Sequence, residues 1–385
     1  MRVFILTGEP SGDLHGAHLA RALSNLDPGV ELLGVGGVRM RAAQVHLVAE
    51  SSHWGAIGIP DTLRKVPRML VEMGRLERLL RADPPDVLVP IDFGTFNVTL
   101  LKRLHGSGIR TVYFIPPGCW SRDRAAGRLP FLVDGVATPF PWSADNLRAA
   151  GAPARIEWVG HPILDYTRVT TTREEARRRL GIDPARPVIA MVPGSRRSEL
   201  RYLLPVFVET LQRLTPAPQV LITVAPNLGD EAIRRLLPDG MDVRLLHGID
   251  YELIQAADAA LVTSGTATLE MVCLNLPMMV AYRGSFATWV QYRIMARGGR
   301  LRFISLPNII MERMIVPERL QHAADPEIMA ADITALLTDQ SIRQAQLDAF
   351  SKIRAMLGDG HAIERTAALV REVGMRTAAV GVQVQ

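Results

Sequence analysis

The sequence predicts an α/β protein of two doubly wound domains, because strand-like and helix-like segments alternate along most of its 385 residues. Short apolar runs bounded by Gly, Pro or charged residues predict buried strands, and the amphipathic stretches between them predict helices covering both faces of parallel sheets. The length also suits two domains of ordinary size. The predicted strands are Val3–Leu6, Val87–Ile91, Thr111–Ile115, Val133–Ala137, Val188–Val192, Val220–Val224, Asp242–Leu246 and Ala259–Thr263.

A polar and basic segment, residues 168–187, separates the two series of predicted strands and ends in Pro187. Such a shift in composition is typical of a loop or linker, so we expect an N-terminal domain over residues 1–168 and a C-terminal domain over residues 169–385. The alternative is a surface helix and loop inside one domain. Beyond about residue 325 the pattern is wholly helical.

The formal charge of +5 is a mild basic excess, without a block of five or more like charges. It argues against nucleic-acid binding and suits phosphate-bearing substrates or an anionic membrane surface. The two cysteines, Cys119 and Cys273, belong to no CxxC pair, so neither a disulfide framework nor a zinc site is expected. The first residues do not match a signal peptide and no apolar run reaches 18 residues, so we expect a cytoplasmic protein with at most peripheral membrane contact.

Residues 62–81 predict a basic amphipathic helix, in which Pro67 would cause a break or a kink. A helix of this kind can lie on an anionic membrane with its apolar face in the interface. The alternative is an ordinary amphipathic helix packed on a sheet. The apolar residues at helical spacing are Leu63, Val66, Leu70, Met73 and Leu80, and the cations among them are Arg64, Lys65, Arg68, Arg75, Arg78 and Arg81.

The turn after the first predicted strand carries three polar candidates, Glu9, Ser11 and Asp13, in the run GEPSGD. In open parallel sheets, ligands bind beyond the carboxyl ends of the strands. The two acids would repel a phosphate, so they suit sugar hydroxyls or proton transfer better. The run is not the GxGxxG of dinucleotide-binding proteins. The alternative is a capped helix start with Ser11 or Asp13 as the cap.

Asp92 follows another predicted strand and is expected at the same edge as Glu9 and Asp13. A carboxylate there can act as a general base if partial burial raises its pKa. The alternative is a helix N-cap or a turn aspartate.

The first strand of the second series leads into Gly194, Ser195 and Arg196. Glycine frees the backbone, serine donates a hydrogen bond and the guanidinium fork matches phosphate oxygens, so we expect an anion site. The alternative is a surface turn.

A second phosphate-binding turn is predicted at TSGTATLE, which contains Ser264, Gly265, Thr266 and Glu270. The backbone N–H groups at the start of the following helix can hold a diphosphate, and Glu270 can accept hydrogen bonds from ribose hydroxyls. A capping box is the alternative, and the two roles can coexist.

Two further candidates carry weaker signals. Asn308 in SLPN could hydrogen-bond a sugar, although a turn asparagine is the usual case. His161 in VGHPILD lies near the domain boundary and could bind a phosphate or polarise a leaving group. A hydrogen-bonded structural histidine is the alternative. No metal site is predicted.

Together the motifs resemble the lipid-A-disaccharide synthase family. The matching segments are GEPSGDLHGA, PDVLVPIDFGTFN, VGHPILD, VPGSRRSEL, TSGTATLE, PMMVAYR and SLPN, in the family's order over about residues 1–320. The resemblance implies the GT-B glycosyltransferase fold, with two doubly wound domains and a cleft between them. It also implies inverting transfer from UDP-2,3-diacylglucosamine to 2,3-diacylglucosamine 1-phosphate (lipid X), which yields lipid A disaccharide 1-phosphate and UDP. Neither a metal nor another cofactor is implied. Members are peripheral proteins of the inner face of the cytoplasmic membrane, and a homodimer is an open alternative.

The family's motifs carry three residues over as essential: Asp92 as the base, Arg196 for the diphosphate, and Asn308 without an assigned role. Three departures lie in the acceptor half, where Pro10 and Thr95 replace the family's usual Ala and Asp, and PPGCWSRDR replaces SPSVWAWR. The donor-half motifs are nearly intact. The alternatives are therefore a divergent GT-B transferase with another acceptor, for example a polyprenyl-linked one, a UDP-sugar 2-epimerase, and a non-catalytic relative that binds a UDP-sugar or a lipid.

Overall fold

The computed structural model describes residues 1–51, 54, 59–122, 127–225, 228–248, 250–285 and 302–375. The chain divides into two compact units, Met1–Asp165 with Met356–Gln385, and Tyr166–Ala355. Each unit contains a parallel sheet with helices between successive strands. This architecture confirms the α/β class that the alternating sequence pattern predicts.

The first unit contains seven strands in the spatial order β3-β2-β1-β4-β5-β6-β7, and all neighbouring pairs are parallel. Its strands are β1 (Arg2–Leu6), β2 (Glu31–Gly36), β3 (His46–Glu50), β4 (Val87–Pro90), β5 (Arg110–Phe114), β6 (Gly135–Thr138) and β7 (Arg155–Trp158). Its helices before residue 166 are α1 (Pro10–Leu26), α2 (Val38–Ala42), α3 (Ile59–Ala82), α4 (Gly94–Leu104) and α5 (Pro141–Arg148), and α6 (Ile163–Tyr166) reaches the division between the units.

The second unit contains six parallel strands in the order β10-β9-β8-β11-β12-β13. Its strands are β8 (Val188–Val192), β9 (Gln219–Val224), β10 (Val243–His247), β11 (Ala259–Thr263), β12 (Met278–Tyr282) and β13 (Glu318–Leu320). The helices that follow α6 are α7 (Arg173–Leu180), α8 (Arg197–Gln212), α9 (Asp230–Arg234), α10 (Tyr251–Ile254), α11 (Ala267–Cys273), α12 (Leu306–Met311), α13 (Pro326–Thr338), α14 (Gln340–Leu357) and α15 (Ala362–Met375).

Strand pairing brings the candidate turns of each unit together. In the first unit β1 pairs with β4, and Leu6 lies opposite Pro90. In the second unit β8 pairs with β11, and Val192 lies opposite Val262. Apart from Arg2 at the start of β1, every residue of these four strands is buried, so their apolar side chains hold the strand ends in fixed positions. The turns that follow these strands are therefore neighbours within each unit.

The last helix departs from the predicted domain limits. The sequence places residues 169–385 in the second domain, whereas α15 packs on α1, β4, β5 and β6 of the first unit. Val370 and Val373 on α15 are fully buried, and Gly374 lies against Met1 and Val87. An amphipathic helix can cover either sheet, so periodicity alone does not assign it to one.

The helix expected over residues 62–81 is present as α3, and it continues through Pro67 without a break. Met73, Leu76 and Leu80 are buried and attach the helix to the first unit, which offsets the hydrogen bond that a proline removes. Leu70 is 49% exposed and Val71 is 68% exposed. Among the described helices, none is both long and apolar enough to cross a membrane.

Candidate active site

The turn after β1 lies against the turn after β4. A Cβ atom at Gly8 would stand 2.2 Å from the Phe93 ring, and one at Gly12 would stand 3.8 Å from the Ile91 carbonyl oxygen. Only a residue without a side chain fits at Gly8 while the ring stays in place. The two turns therefore meet at one edge of the sheet, as the sequence predicts for GEPSGD and IDFGTFN.

Asp92 has a strained backbone that neighbouring side chains hold in place. Its φ is 48° and that of Phe93 is 47°, so two successive residues with side chains are left-handed. The Asp92 carbonyl oxygen accepts hydrogen bonds from the Tyr113 hydroxyl at 2.6 Å and from Asn97 Nδ2 at 2.8 Å. The Asp92 N–H donates to the Phe114 carbonyl at 3.1 Å. Because Tyr113 and Asn97 are fully buried, the direction of the Asp92 side chain is fixed.

The Asp92 carboxyl group has an environment suited to proton transfer. Burial, together with the nearby charge of Glu9 and against the opposing hydrogen bond from the Phe93 N–H, raises the pKa of Asp92 to about 6. A carboxylate with a pKa near the working pH is an efficient general base. The sequence allows Asp92 to act as a general base if burial raises its pKa, and the pKa is raised in this way.

The other candidates of the first turn have different positions. Glu9 precedes α1 as its N-cap residue, and Ser11 lies in the first turn of the helix; both are half-buried. Asp13 is 6% exposed. Its carboxylate accepts N–H bonds from Gly37 at 2.7 Å and from Arg39 and Met40 at 3.1 Å, at the start of α2.

The structure therefore gives Asp13 a capping role, on α2 rather than on the α1 start that the sequence suggested. A buried carboxylate at a helix N-terminus is stabilised by the N–H groups and the helix dipole.

His161 is buried in the first unit beside a second histidine. Its ring centroid lies 6.5 Å from that of His15 and 5.6 Å from that of Phe140, and its Nδ1 accepts the Ile163 N–H at 3.1 Å. Burial lowers the pKa of both histidines to about 3, so both are neutral at physiological pH. These contacts match the structural role that the sequence left open for His161.

The segment that departs from the family pattern, residues 116–124, is described up to Arg122, and positions 123 and 124 lie outside the described residues. The Trp142 indole N–H donates to the Cys119 carbonyl at 2.9 Å. The Arg122 guanidinium lies 4.2 Å from the Trp142 ring centroid, a distance typical of a cation–π contact. This segment is thus anchored to α5 in the same unit.

In the second unit, a buried acid organises the turn after β8. Glu199 is 5% exposed and its carboxylate accepts the N–H groups of Ser195 at 3.1 Å and Arg196 at 3.2 Å. Its other oxygen pairs with the Arg196 guanidinium at 2.8 Å. A Cβ atom at Gly194, where φ is 102°, would stand 2.2 Å from this carboxylate. The backbone N–H groups of this turn are therefore bonded to Glu199, which also orients the Arg196 guanidinium that the sequence predicts for a phosphate.

The turn after β11 has the predicted strand–turn–helix form. The Ser264 hydroxyl donates to the Ile304 carbonyl at 2.7 Å, and Thr266 is the N-cap residue of α11. Glu270 is buried, and its carboxylate accepts the Tyr251 hydroxyl at 3.1 Å. The Thr263 side chain at the end of β11 reaches the turn after β8, because a Cβ atom at Gly194 would lie 3.1 Å from Thr263 Cγ2. The two predicted phosphate turns are therefore adjacent.

Asn308 is fully buried and bonded within its own segment. Its Nδ2 donates to the Val316 carbonyl at 2.9 Å and to Glu318 at 2.8 Å. Its Oδ1 accepts the N–H groups of Ile315 at 2.7 Å and Val316 at 3.0 Å. An asparagine side chain has two donor hydrogens and two acceptor lone pairs, so these bonds use all four. Asn308 lies within α12 and not in the turn that the sequence left open, and its bonds hold the segment that follows this helix.

Several residues of this arrangement were not singled out from the sequence. Asn97 and Glu199 lie inside recognised motifs, so their position in those motifs was an available signal. Tyr113 and Glu318 carried no such signal, because their roles depend on side chains distant along the chain. Within the described ranges, no group of three or more His, Cys, Asp or Glu side chains is placed to hold a metal ion.

The two parallel sheets with polar turns at their strand ends define an α/β protein of the GT-B type. The structure of UDP-GlcNAc 2-epimerase from Neisseria meningitidis bound to UDP-GlcNAc is similar to this chain with a TM-score of 0.59. It shares 13% sequence identity and the match covers 97% of this chain and 99% of that one. At this identity the likeness shows the fold alone.

The family follows from sequence comparison. The model of the lipid-A-disaccharide synthetase family matches residues 3–372. The lipid-A-disaccharide synthase of Geobacter sulfurreducens is 35% identical over 380 residues, which are 97% of each chain. That of Anaeromyxobacter dehalogenans is 37% identical over 372 residues, covering 95% of this chain and 96% of that one. The chain belongs to the lipid-A-disaccharide synthetase family and is a glycosyltransferase.

The contact between Gly194 and Glu199 predicts a large cost for Gly194→Ala. The new Cβ would displace a carboxylate that satisfies two N–H groups, so we expect a loss of about 3–5 kcal/mol in the free energy of unfolding. Gly181→Ala is the matched control, because Gly181 also has a positive φ of 60° but meets nothing within 4 Å; it should cost only about 1–2 kcal/mol. Urea unfolding followed by circular dichroism measures both, and equal losses would contradict the role of Glu199.

Proposed function

We propose that this protein transfers 2,3-diacylglucosamine from UDP-2,3-diacylglucosamine to lipid X, giving lipid A disaccharide 1-phosphate and UDP. The observation that carries the proposal is Asp92. Its backbone is fixed by Tyr113 and Asn97, and its pKa is raised to about 6. Membership of the lipid-A-disaccharide synthetase family supports the choice of substrates.

In the proposed reaction, Asp92 accepts the proton of the acceptor's attacking hydroxyl group. The oxygen forms a bond to the anomeric carbon of the donor sugar, and the bond from that carbon to the diphosphate oxygen breaks. The anomeric configuration is inverted and UDP leaves with the bonding electron pair. The half-buried position and fixed backbone of Asp92 support this role, since a general base must be deprotonated and aimed before substrate binds.

The donor nucleotide is assigned to the two adjacent turns of the second unit. We infer that the backbone around Ser264, Gly265 and Thr266, together with Arg196, binds the diphosphate as negative charge develops on it. The pairing of Arg196 with Glu199 supports a fixed direction for the guanidinium. Glu270, anchored by Tyr251, is assigned to the ribose hydroxyls.

The departures from the family pattern are compatible with this proposal. Pro10 occupies the first position of α1, where the missing N–H leaves no bond unmade. Thr95 lies exposed in the first turn of α4, and the bonds that fix Asp92 come from Tyr113 and Asn97 instead.

Purified protein incubated with UDP-2,3-diacylglucosamine and lipid X should release UDP and form the disaccharide 1-phosphate, detected by mass. Asp92→Asn should lower turnover by about 10²–10⁴-fold, the usual contribution of a general base, while Asp145→Asn, at an exposed position of the same unit, should not change it. UDP binding without disaccharide would reject this acceptor. An epimerised UDP-sugar as the product would reject the transferase reaction.

The raised pKa of Asp92 predicts a pH dependence of kcat/KM for the wild type. Below about pH 6 the carboxyl group is protonated and cannot accept the acceptor proton, so kcat/KM should fall about tenfold per pH unit. Above about pH 6 the profile should level off. The measurement is the initial rate at subsaturating substrate between about pH 4.5 and 8. A profile that stays flat down to about pH 4.5 would show that burial does not raise the pKa of Asp92.

We further propose that α3 contacts the cytoplasmic face of an anionic membrane, where lipid substrates reside. Leu70 and Val71 are exposed on α3, and the exposed residues around them include Arg68, Arg75 and Arg78. Exposed aliphatic groups flanked by cations fit insertion between lipid headgroups. The side chains of Leu63 and Val66, which the sequence pattern places on the same helix, lie outside the described residues.

The double variant Leu70→Ser, Val71→Ser should weaken binding to phosphatidylglycerol-containing vesicles by about tenfold or more. The wild type transfers these two aliphatic side chains from water into the membrane, and the variant loses that contribution. Vesicle co-sedimentation at two salt concentrations measures this, and added salt should weaken the wild type through its cations. The matched control is Ile328→Ser, Ile342→Ser, which changes two residues of the second unit with exposures of 43% and 41%. Equal binding by all three proteins would reject α3 as the membrane contact.

A further inference from the structure

A single carboxylate in the second unit accepts several hydrogen bonds from the segment around the start of α12. Glu318, the first residue of β13, accepts the Ser305 N–H at 2.8 Å and the Ser305 hydroxyl at 2.6 Å on Oε1. The same oxygen accepts Asn308 Nδ2 at 2.8 Å, and Oε2 accepts the Ile304 N–H at 3.0 Å. Four donors from residues 304–308 thus converge on one side chain, which holds this segment against the edge strand.

Asn308 contributes a second attachment of the same segment. Its four hydrogen bonds connect α12 to Ile315, Val316 and Glu318. No donor or acceptor of its amide is left for a ligand unless one of these bonds breaks. An essential asparagine at this position therefore acts through the segment that it holds.

The held segment is bonded directly to the turn assigned to the donor diphosphate. The Ile304 carbonyl accepts the Ser264 hydroxyl at 2.7 Å, while the Ile304 N–H is bonded to Glu318. Both backbone polar groups of Ile304 are thus hydrogen-bonded. The position of Ser264 depends on that of Ile304, and the position of Ile304 depends on Glu318.

We propose that Glu318 is a positioning residue for nucleotide binding, acting through Ile304 on Ser264. The inference rests on the proposed function, in which the turn at Ser264–Thr266 binds the diphosphate. Backbone N–H groups bind an anion well only when their directions are set in advance, so a looser turn binds UDP more weakly. Glu318 itself touches no substrate in this account.

The test is isothermal titration of UDP into full-length wild type, Glu318→Gln, Ser264→Ala and the double variant. Glutamine keeps the shape of the side chain but replaces one acceptor oxygen by an N–H₂ group, so at least one bond of the cluster is lost. We expect about a tenfold weaker Kd for Glu318→Gln. The double variant should be no weaker than the weaker single variant, since both break one connection. In the transferase assay, Glu318→Gln should raise KM for the UDP-sugar and leave KM for lipid X unchanged.

Two controls separate positioning from folding. Glu327→Gln, at an exposed position in the first turn of α13, should bind UDP as the wild type does. Ser305→Ala removes only one donor from the cluster and should weaken UDP binding by about two- to threefold. This variant tests the inference even if Glu318→Gln does not fold.

The outcomes distinguish this inference from the proposed function. Wild-type UDP affinity in Glu318→Gln, or additive losses in the double variant, would overturn the inference alone. A wild type that binds no UDP would overturn the donor site and, with it, the inference.

Discussion

Side-chain carboxylates that accept hydrogen bonds from backbone N–H groups hold polar segments of both units in shape. Asp13 bonds the start of α2, Glu199 bonds the start of α8, and Glu318 bonds the segment before α12. The first N–H groups of a helix have no partner within the helix, and a buried one left unpaired is costly. Asp13 supplies that partner for Arg39 and Met40 of α2, whereas Glu199 and Glu318 accept N–H groups of residues just before α8 and α12. Each acid also gains a favourable interaction with the helix dipole. The polar turns can therefore be fixed without help from a ligand.

Asp92 differs from these three acids in which of its groups are hydrogen-bonded and in the pKa of its carboxyl group. Its backbone carbonyl accepts hydrogen bonds from Tyr113 and Asn97, and its N–H donates to the Phe114 carbonyl. Burial and Glu9 raise the pKa of its carboxyl group, whereas an acid held by several N–H groups is favoured in its charged form. The strained left-handed turn at Asp92 and Phe93 persists because buried neighbours determine it. Strain and a raised pKa at one carboxyl group are typical of a catalytic acid or base.

The candidate residues fall into two groups according to their contacts. Arg196, Ser264 and Glu270 each have a defined bonding partner that orients them in the second unit. Asn308 and Asp13 have contacts that hold the fold, so motif position alone does not show that a residue touches substrate. A residue can be required for activity because it holds another residue in the position that substrate binding needs. The bonds from Glu318 to Ile304 and from Ser264 to Ile304 are a physical route for that dependence.

The sequence by itself determined the fold class, eight of the thirteen described strands, the family and the position of Asp92, since short-range patterns carry this information. The strands at β1, β8 and β11 are continuous apolar runs, and each is followed by a polar turn of recognisable composition. Only the tertiary structure decided which unit α15 covers and that Asp13 caps α2. It alone showed that Tyr113 fixes the turn at Asp92, 21 residues away in the chain. It also showed that Glu318 acts through Ile304 on the turn at Ser264, 54 residues away from Glu318. These features depend on which side chains meet after folding, and hydrogen bonds between residues far apart in the chain leave no periodic pattern in the sequence.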